Sequence, residues 1–90
     1  MVIKRDKIEI ISDILTSIQE KNNKIKITHI LYKANLSYNK LKEYLDELLN
    51  KNLIEEYYDK KHKYFRLTKK GNEYLEKIKQ MTKFIETFDI

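Results

Sequence analysis

The side chains available for chemistry in this chain are mainly lysines, and they are concentrated in two stretches without acids. Residues 21–42 have six lysines, and residues 60–70 have six cations. The rest of the chain has seven cations against fourteen acids, so the net charge of +5 understates this segregation. Either run alone is typical of a solvated basic loop, but both runs on one face of a fold would make a surface that binds a polyanion.

Catalysis and metal binding lack the residue patterns that they need. The chain has no cysteine, which excludes a disulfide, a thiol nucleophile and a cysteine zinc site. Its single glycine, Gly71, excludes a glycine-rich phosphate loop. His29 and His62 are far apart in sequence and have no partner pattern, and no serine has a nearby base or oxyanion motif. We therefore expect no enzyme, no metal site and no cofactor.

Length and composition predict one small, helix-rich domain over residues 1–90. With one glycine and no proline, an all-β fold with many tight turns is disfavoured. No apolar run is longer than three residues, whereas a membrane span needs about twenty and a secretory signal about seven. We expect a soluble, cytoplasmic protein with no membrane partner and no evident small-molecule substrate.

Three elements are predicted before the end of the first acid-free stretch. An amphipathic helix is predicted over residues 5–20, and Ile25 and Ile27 then alternate with lysines, which predicts a short strand. Thr28 is the candidate N-cap of a short helix, which Asn35 ends because asparagine tolerates left-handed backbone. The apolar positions of the first helix recur at helical spacing: Ile8, Ile10, Ile11, Ile14, Leu15 and Ile18.

A longer helix completes a helix-turn-helix at about residues 28–51. Ser37 is its candidate N-cap, and apolar residues at helical spacing continue to about Asn50. Asn52 is predicted to close this helix in the left-handed conformation.

A β-hairpin and a final helix follow. Residues 53–58 and 63–67 are rich in strand formers, and the polar residues 59–62 between them predict a basic hairpin tip. Thr68 is the candidate cap of a helix over about 68–88. That helix has a heptad-like seam, which either faces the core or forms a dimer interface, and the additional ring of Phe84 favours the dimer. The seam residues are Tyr74, Ile78, Met81, Ile85 and Phe88.

This order of elements (α-β-α-α-β-β-α) predicts a winged helix, a mostly α fold with a small β-hairpin, the wing, at about 53–67. In a winged helix the third helix enters the major groove of DNA, and the hairpin tip reaches the neighbouring backbone or the minor groove. The two acid-free stretches coincide with the start of the third helix and with the wing. We therefore expect the polyanion to be double-stranded DNA.

Two segments also resemble a known family. Residues 28–38, THILYKANLSY, and residues 64–71, YFRLTKKG, are similar to archaeal winged-helix proteins typified by the ten-kilodalton chromatin proteins of Sulfolobus. The resemblance implies double-stranded DNA binding, a nucleoid-associated location and homodimerisation through an antiparallel coiled coil of the last helix. It fits either a transcription regulator or an architectural chromatin protein. Asn52 stands where the family usually has glycine, and the last helix looks shorter, which favours a more compact dimer.

The predicted DNA contacts lie in the third helix, the wing and their flanks. Ser37 either only caps its helix or also reaches a phosphate, and Asn39 either pairs with adenine or is merely solvated. The wing lysines either contact phosphates or only protect an exposed sheet edge. Arg66 either contacts DNA or pairs with Glu55. The full set is Ser37, Tyr38, Asn39, Lys40, Lys42, Lys33, Lys26, Lys60, Lys61, His62, Lys63 and Arg66.

Acids and aromatic residues limit this interpretation. Glu43, Asp46 and Glu47 on the third helix restrict DNA contact to its first two turns. Tyr38 is the tyrosine predicted to be exposed at the groove, whereas the core is predicted to include Tyr32, Tyr44 and Tyr74. The alternative function is a winged-helix module that uses its basic surface to bind an acidic protein without DNA binding.

Overall fold

The computed structural model describes residues 6–88, with side chains to residue 87, and confirms the predicted fold class. The chain forms α1, α2 and α3, then a two-stranded antiparallel sheet of β1 and β2, and last α4. Their bounds are α1 Lys7–Glu20, α2 Ile27–Ala34, α3 Tyr38–Asn50, β1 Ile54–Asp59, β2 His62–Leu67 and α4 Lys69–Phe88.

Side-chain caps begin three of the helices. The Asp6 carboxylate accepts a hydrogen bond from the Glu9 amide at 2.8 Å, and Ser37 Oγ accepts one from the Lys40 amide at 3.2 Å. Thr68 Oγ1 accepts from the Gly71 amide at 3.0 Å. Ser37 and Thr68 are therefore confirmed as caps, because each satisfies an amide that has no partner within its helix.

The prediction that Thr28 caps α2 is wrong. The helix begins at Ile27, and Lys26 at its cap makes no side-chain hydrogen bond. The predicted short strand over Ile25 and Ile27 is reduced to a single bridge at Ile25, because Ile27 already belongs to α2. Ile25 pairs with Phe65, whose amide donates to the Ile25 carbonyl at 2.9 Å. Only Lys26 separates this pair from the first residue of α2, so the helix begins before Thr28.

Asparagines end the two helices of the helix-turn-helix, as predicted. Asn35 has φ 54° after α2, and Asn52 has φ 59° after α3. Both lie in the left-handed region, which asparagine adopts at lower cost than most residues. Asn23, at φ 61°, is a further left-handed residue, and its side-chain oxygen accepts from the Leu67 amide at 3.0 Å. That bond attaches the α1–α2 turn to the base of β2.

The hairpin turn is tighter than the sequence predicts. The strands pair from Ile54 with Leu67 to Asp59 with His62, so the turn is Lys60–Lys61 and not residues 59–62. Both turn residues have positive φ, 50° at Lys60 and 71° at Lys61. Two-residue hairpin turns of this kind favour Asn-Gly, because a side chain in the left-handed region is strained. Asparagine and glycine at these two positions would therefore make the wing more stable than the two lysines do.

The core lies between the helices and one face of the hairpin. Tyr32 is 88% exposed, so its predicted core position is wrong. It lies two residues from both Ile30 and Ala34, which is about 200° around the helix from the buried face. Tyr44 is half-buried against the core, as predicted. The main core residues are Ile14, Leu15, Ile18, Ile25, Ile30, Ala34, Leu41, Leu45, Leu48, Ile54, Phe65 and Leu75.

The predicted seam on α4 is divided between the core and the surface. Ile78 is only 5% exposed and belongs to the protomer core, so its prediction as a dimer contact is wrong. Tyr74 is 37% exposed, Met81 47% and Ile85 55%, so these three lie at the surface. The side chain of Phe88 lies outside the described residues. The seam is divided because α4 extends past the elements that cover its first half, which leaves its second half exposed.

The start of α4 is held against the end of α3 by backbone carbonyls. Leu53 O accepts from the Thr68 amide at 3.1 Å, and Asn52 O accepts from Thr68 Oγ1 at 2.6 Å. Gly71 lies so close to this junction that a Cβ placed on it would be 1.9 Å from Leu53 O. Only glycine allows this approach without movement of the backbone.

We predict that Gly71→Ala destabilises the protein by at least about 2 kcal/mol, although alanine favours helix, because the methyl group overlaps Leu53 O. The thermal midpoint should fall by about 10 °C or more. Asn72→Ala is the control, since Asn72 is exposed on the same turn and its replacement should leave the midpoint unchanged or slightly higher. Equal midpoints for the two variants would contradict the tight junction.

We predict the opposite effect at the hairpin turn. Replacing Lys60 with Asn and Lys61 with Gly should raise the free energy of unfolding by about 1 kcal/mol, because both residues accept positive φ more readily. The control is Lys60→Ala with Lys61→Ala, which removes the same charges but keeps the strain and should give no gain. Chemical denaturation measures both, and no gain from Asn-Gly would contradict the strained turn.

Candidate nucleic-acid interface

The start of α3 presents polar side chains to solvent while the rest of the helix is anchored in the core. Leu41, Leu45 and Leu48 are buried, which fixes the rotation of the helix. At 100° per residue, Asn39 points away from these leucines. Tyr38 and Lys42, four residues apart, lie on one flank. The predicted contact residues of this segment are all exposed: Ser37, Tyr38, Asn39, Lys40 and Lys42.

The inner face of the wing lies beside this part of α3. Residues directly opposite in the hairpin share a face, so Tyr58 and Lys63 lie on the same face as the buried Phe65. The Lys63 ammonium is 3.1 Å from Glu56 Oε2, and that hydrogen-bonded carboxylate raises the pKa of Lys63. Tyr58 and Tyr38 also raise this pKa, which brings the start of α3 and the wing within electrostatic range of one another.

Other predicted contact residues lie on the outer face of the sheet. Lys26 neighbours the inward-facing Ile25, and its ammonium is 5.9 Å from the centroid of the Tyr64 ring. Arg66 lies 4.6 Å from the Tyr57 ring, and its Nε donates to Glu55 Oε1 at 2.6 Å. Of the two alternatives for Arg66, the structure has the pair with Glu55. Both cations therefore lie apart from the inner face that meets α3.

Folding brings acidic side chains to the cationic stretches. Lys33 is 3.6 Å from Glu20, at the end of α1, and Lys40 is 3.7 Å from Glu43. Lys24 is 2.6 Å from Asp59, across the sheet. Each partner lies outside the acid-free run in sequence and is brought to it by folding. These pairs are exposed, so they contribute little to stability and exchange readily for other anions.

Four predicted lysines have no carboxylate partner in the described part of the chain: Lys26, on the outer face of the sheet, and Lys42, Lys60 and Lys61. Within residues 6–88, no carboxylate oxygen lies within 4.0 Å of the ammonium groups of Lys42, Lys60 or Lys61. Lys42 is on the α3 flank that also carries Tyr38, and the two turn lysines form the wing tip. His62 is exposed at the same tip. Lys42 on α3 and the two lysines of the wing tip therefore keep their full positive charge.

Tyr58 is a residue of this face that sequence reasoning missed. It is 72% exposed and lies opposite Lys63 in the hairpin. The aromatic cross-strand pair is instead Tyr57 with Tyr64, whose ring centroids are 5.8 Å apart on the outer face. The signal was present in the alternation of the strand, since Tyr58 and Ile54 share a face.

Neither a metal-binding cluster nor a membrane-spanning helix is found in the part of the chain that the structure describes. Residues 6–88 hold no group of three histidine, cysteine or carboxylate side chains arranged to bind a metal ion. Within the same range, no helix is both long enough and apolar enough to cross a membrane.

Comparisons with known proteins agree with this architecture. Residues 4–86 match the family described as winged helix-turn-helix. The crystal structure of Sso10a-2, a DNA-binding protein from Sulfolobus solfataricus, superposes with a TM-score of 0.79 at 28% identity, covering 92% of this chain and 84% of that one. The uncharacterized protein MJ0290 of Methanocaldococcus jannaschii is 39% identical over 83 residues, 92% of this chain but 36% of its own length. The chain thus spans about a third of that relative. It belongs to the winged helix-turn-helix family, and the resemblance to archaeal members is confirmed.

Proposed function

We propose that this chain binds double-stranded DNA through the start of α3 and the wing. The observation that carries the proposal is the exposed polar start of α3, which buried leucines hold in place and which lies within electrostatic range of Lys63 in the wing. That Sso10a-2 is described as DNA-binding supports it. A surface of this kind attracts phosphates and releases their counterions.

The proposed contacts divide into positioning and reading. The first amides of α3 and the Ser37 hydroxyl bind one phosphate at the positive end of the helix. Lys42, Lys60 and Lys61 bind further phosphates on either side of it. Asn39 faces the base edges and pairs with adenine through two hydrogen bonds.

The remaining predicted residues have smaller roles in this proposal. Lys33, Lys40 and Lys63 contact phosphate only after exchanging a carboxylate partner, so each adds less than Lys42. Glu43 and Asp46 repel the backbone beyond the second turn of α3. Lys26 and Arg66, on the outer face, lie outside the proposed contact surface.

We further propose a homodimer that uses the exposed apolar side of α4. Met81, Phe84 and Ile85 are each about half exposed or more, at 47%, 63% and 55%. Such an exposed apolar cluster on one helix is an association surface in a protein this small. A two-fold dimer presents two α3 helices to matching half-sites.

This arrangement suits a transcription regulator and an architectural chromatin protein equally. Selection of bound sequences from a random pool separates the two roles, since only a regulator yields a sequence motif.

We predict different effects for the wing and for α3. Lys60→Ala with Lys61→Ala should weaken binding to every duplex alike, because lysines at the tip contact phosphate. Asn39→Ala should instead reduce the preference between sequences by about tenfold, because it removes a base contact. Fluorescence anisotropy on a selected and a scrambled duplex measures both effects. Lys77→Ala with Lys83→Ala on α4 controls for the loss of two charges. The same effect from the wing and Asn39 variants would contradict this division.

The salt dependence of DNA binding tests the electrostatic part of the proposal. If six to eight phosphates are neutralised, log K should fall with log[salt] at a slope of about −5 to −7. The wing double variant should reduce this slope by about 2, and so should the more stable Asn-Gly turn. Because the Asn-Gly turn folds better, a loss of affinity there is not a loss of structure. No binding to duplex DNA at low salt would instead favour the protein-binding module.

We predict that the native chain sediments as a dimer at micromolar concentration and that Met81→Lys with Ile85→Lys makes it a monomer, because two charges would be buried in the interface. Asn72→Lys adds a charge on the other side of α4, about 180° from Met81, and should leave the dimer intact. A native chain that sediments as a monomer would contradict the proposed interface.

A further inference from the structure

A cavity of about 170 Å³ lies where α1, α3 and α4 meet, away from the proposed DNA-binding surface. Its floor is apolar and consists of Ile11 of α1, Leu48 of α3 and Leu53 of the following turn. Tyr74 of α4 forms one wall. The residues of the floor are buried, so the position of the cavity is fixed by the core and not by loops.

The rim of the cavity is charged. Lys51, Lys70 and Glu47 line it. Glu47 is already neutralised, because its carboxylate lies 2.7 Å from the Lys7 ammonium and 3.3 Å from that of Lys51, and these hydrogen bonds lower its pKa. The Lys70 ammonium donates to the Lys51 carbonyl at 3.1 Å, and within residues 6–88 no carboxylate lies within 4.0 Å of it. The rim therefore has a cation without an anionic partner.

Size and charge together define a ligand class. An apolar protein cavity of about 150 Å³ is sufficient to hold one benzene ring. An apolar floor with a few polar groups at the mouth is typical of small-molecule sites. The Lys70 ammonium at the mouth favours an anion, whereas the apolar floor rejects an inorganic ion such as phosphate.

We propose that this cavity binds a small carboxylate with a single ring, with the ring on the floor beside Tyr74 and the carboxylate at Lys70. The proposal is independent of DNA binding, since it uses none of the residues assigned to that function. Affinity for so small a ligand is weak, with a dissociation constant on the order of 1 mM.

The test is a titration of the ¹⁵N-labelled protein with benzoate, followed by NMR. We expect saturable shifts of the amides of Lys51, Leu53, Lys70 and Tyr74. Benzamide, which has the same ring without the charge, should bind about three- to fivefold more weakly, as an exposed ion pair predicts. Benzylamine should not bind. Shifts spread over the wing and α3 lysines, or no saturation, would overturn the proposal.

Two lysine variants separate the site from general charge. Lys70→Met keeps the aliphatic stem but removes the ammonium, so the preference for benzoate over benzamide should fall toward one. Lys69→Met is the matched control, because Lys69 is the adjacent exposed lysine and does not line the cavity. It should bind benzoate like the native chain. Equal effects from the two variants, or a native chain that ignores benzoate because a second copy fills the cavity, would overturn the proposal.

Discussion

The register of one strand decides which cations of this protein act together. Phe65 is buried and pairs with Ile25 on one side and Glu56 on the other, which fixes the two faces of β2. Lys63 therefore lies on the face that meets α3, and Arg66 lies on the opposite face. A shift of the strand register by one residue would exchange the faces on which Lys63 and Arg66 lie. The proposed DNA-binding surface thus depends on the packing of an aromatic side chain that itself contacts no solvent.

Folding also redistributes charge in a way that linear sequence conceals. The two acid-free stretches are real, but Glu20, Glu56 and Asp59 reach them from neighbouring elements. On the start of α3 and the wing tip, Lys42 and the two lysines of the turn remain without a carboxylate partner. The positive potential of the proposed DNA-binding surface comes from lysines that have no carboxylate partner, and not from the total number of lysines. Local placement decides the function of each cation, since exposed pairs contribute little to stability and screen the charge.

Local backbone signals predicted most of the fold. Helical periodicity, the caps at Ser37 and Thr68, and the left-handed residues Asn35 and Asn52 all act within a few residues, so the sequence contains them directly. The errors at Thr28 and Tyr32 arose where tertiary contacts decide, because the Ile25–Phe65 pair sets the start of α2 and the core selects its buried face. For the candidate site, the exposed start of α3 was predictable, but the pairing of Arg66 and the exposure of Tyr58 required the strand register.

The most direct measurement of the central claim is an NMR titration of the ¹⁵N-labelled chain with a random-sequence duplex at moderate salt. The account predicts that amides of residues 37–42 and 60–63 shift together along one binding curve. Amides of Lys24, Lys26 and Arg66, on the outer face of the sheet, should change little. Shifts confined to the outer face, or separate curves for the wing and α3, would contradict a single surface formed by the two.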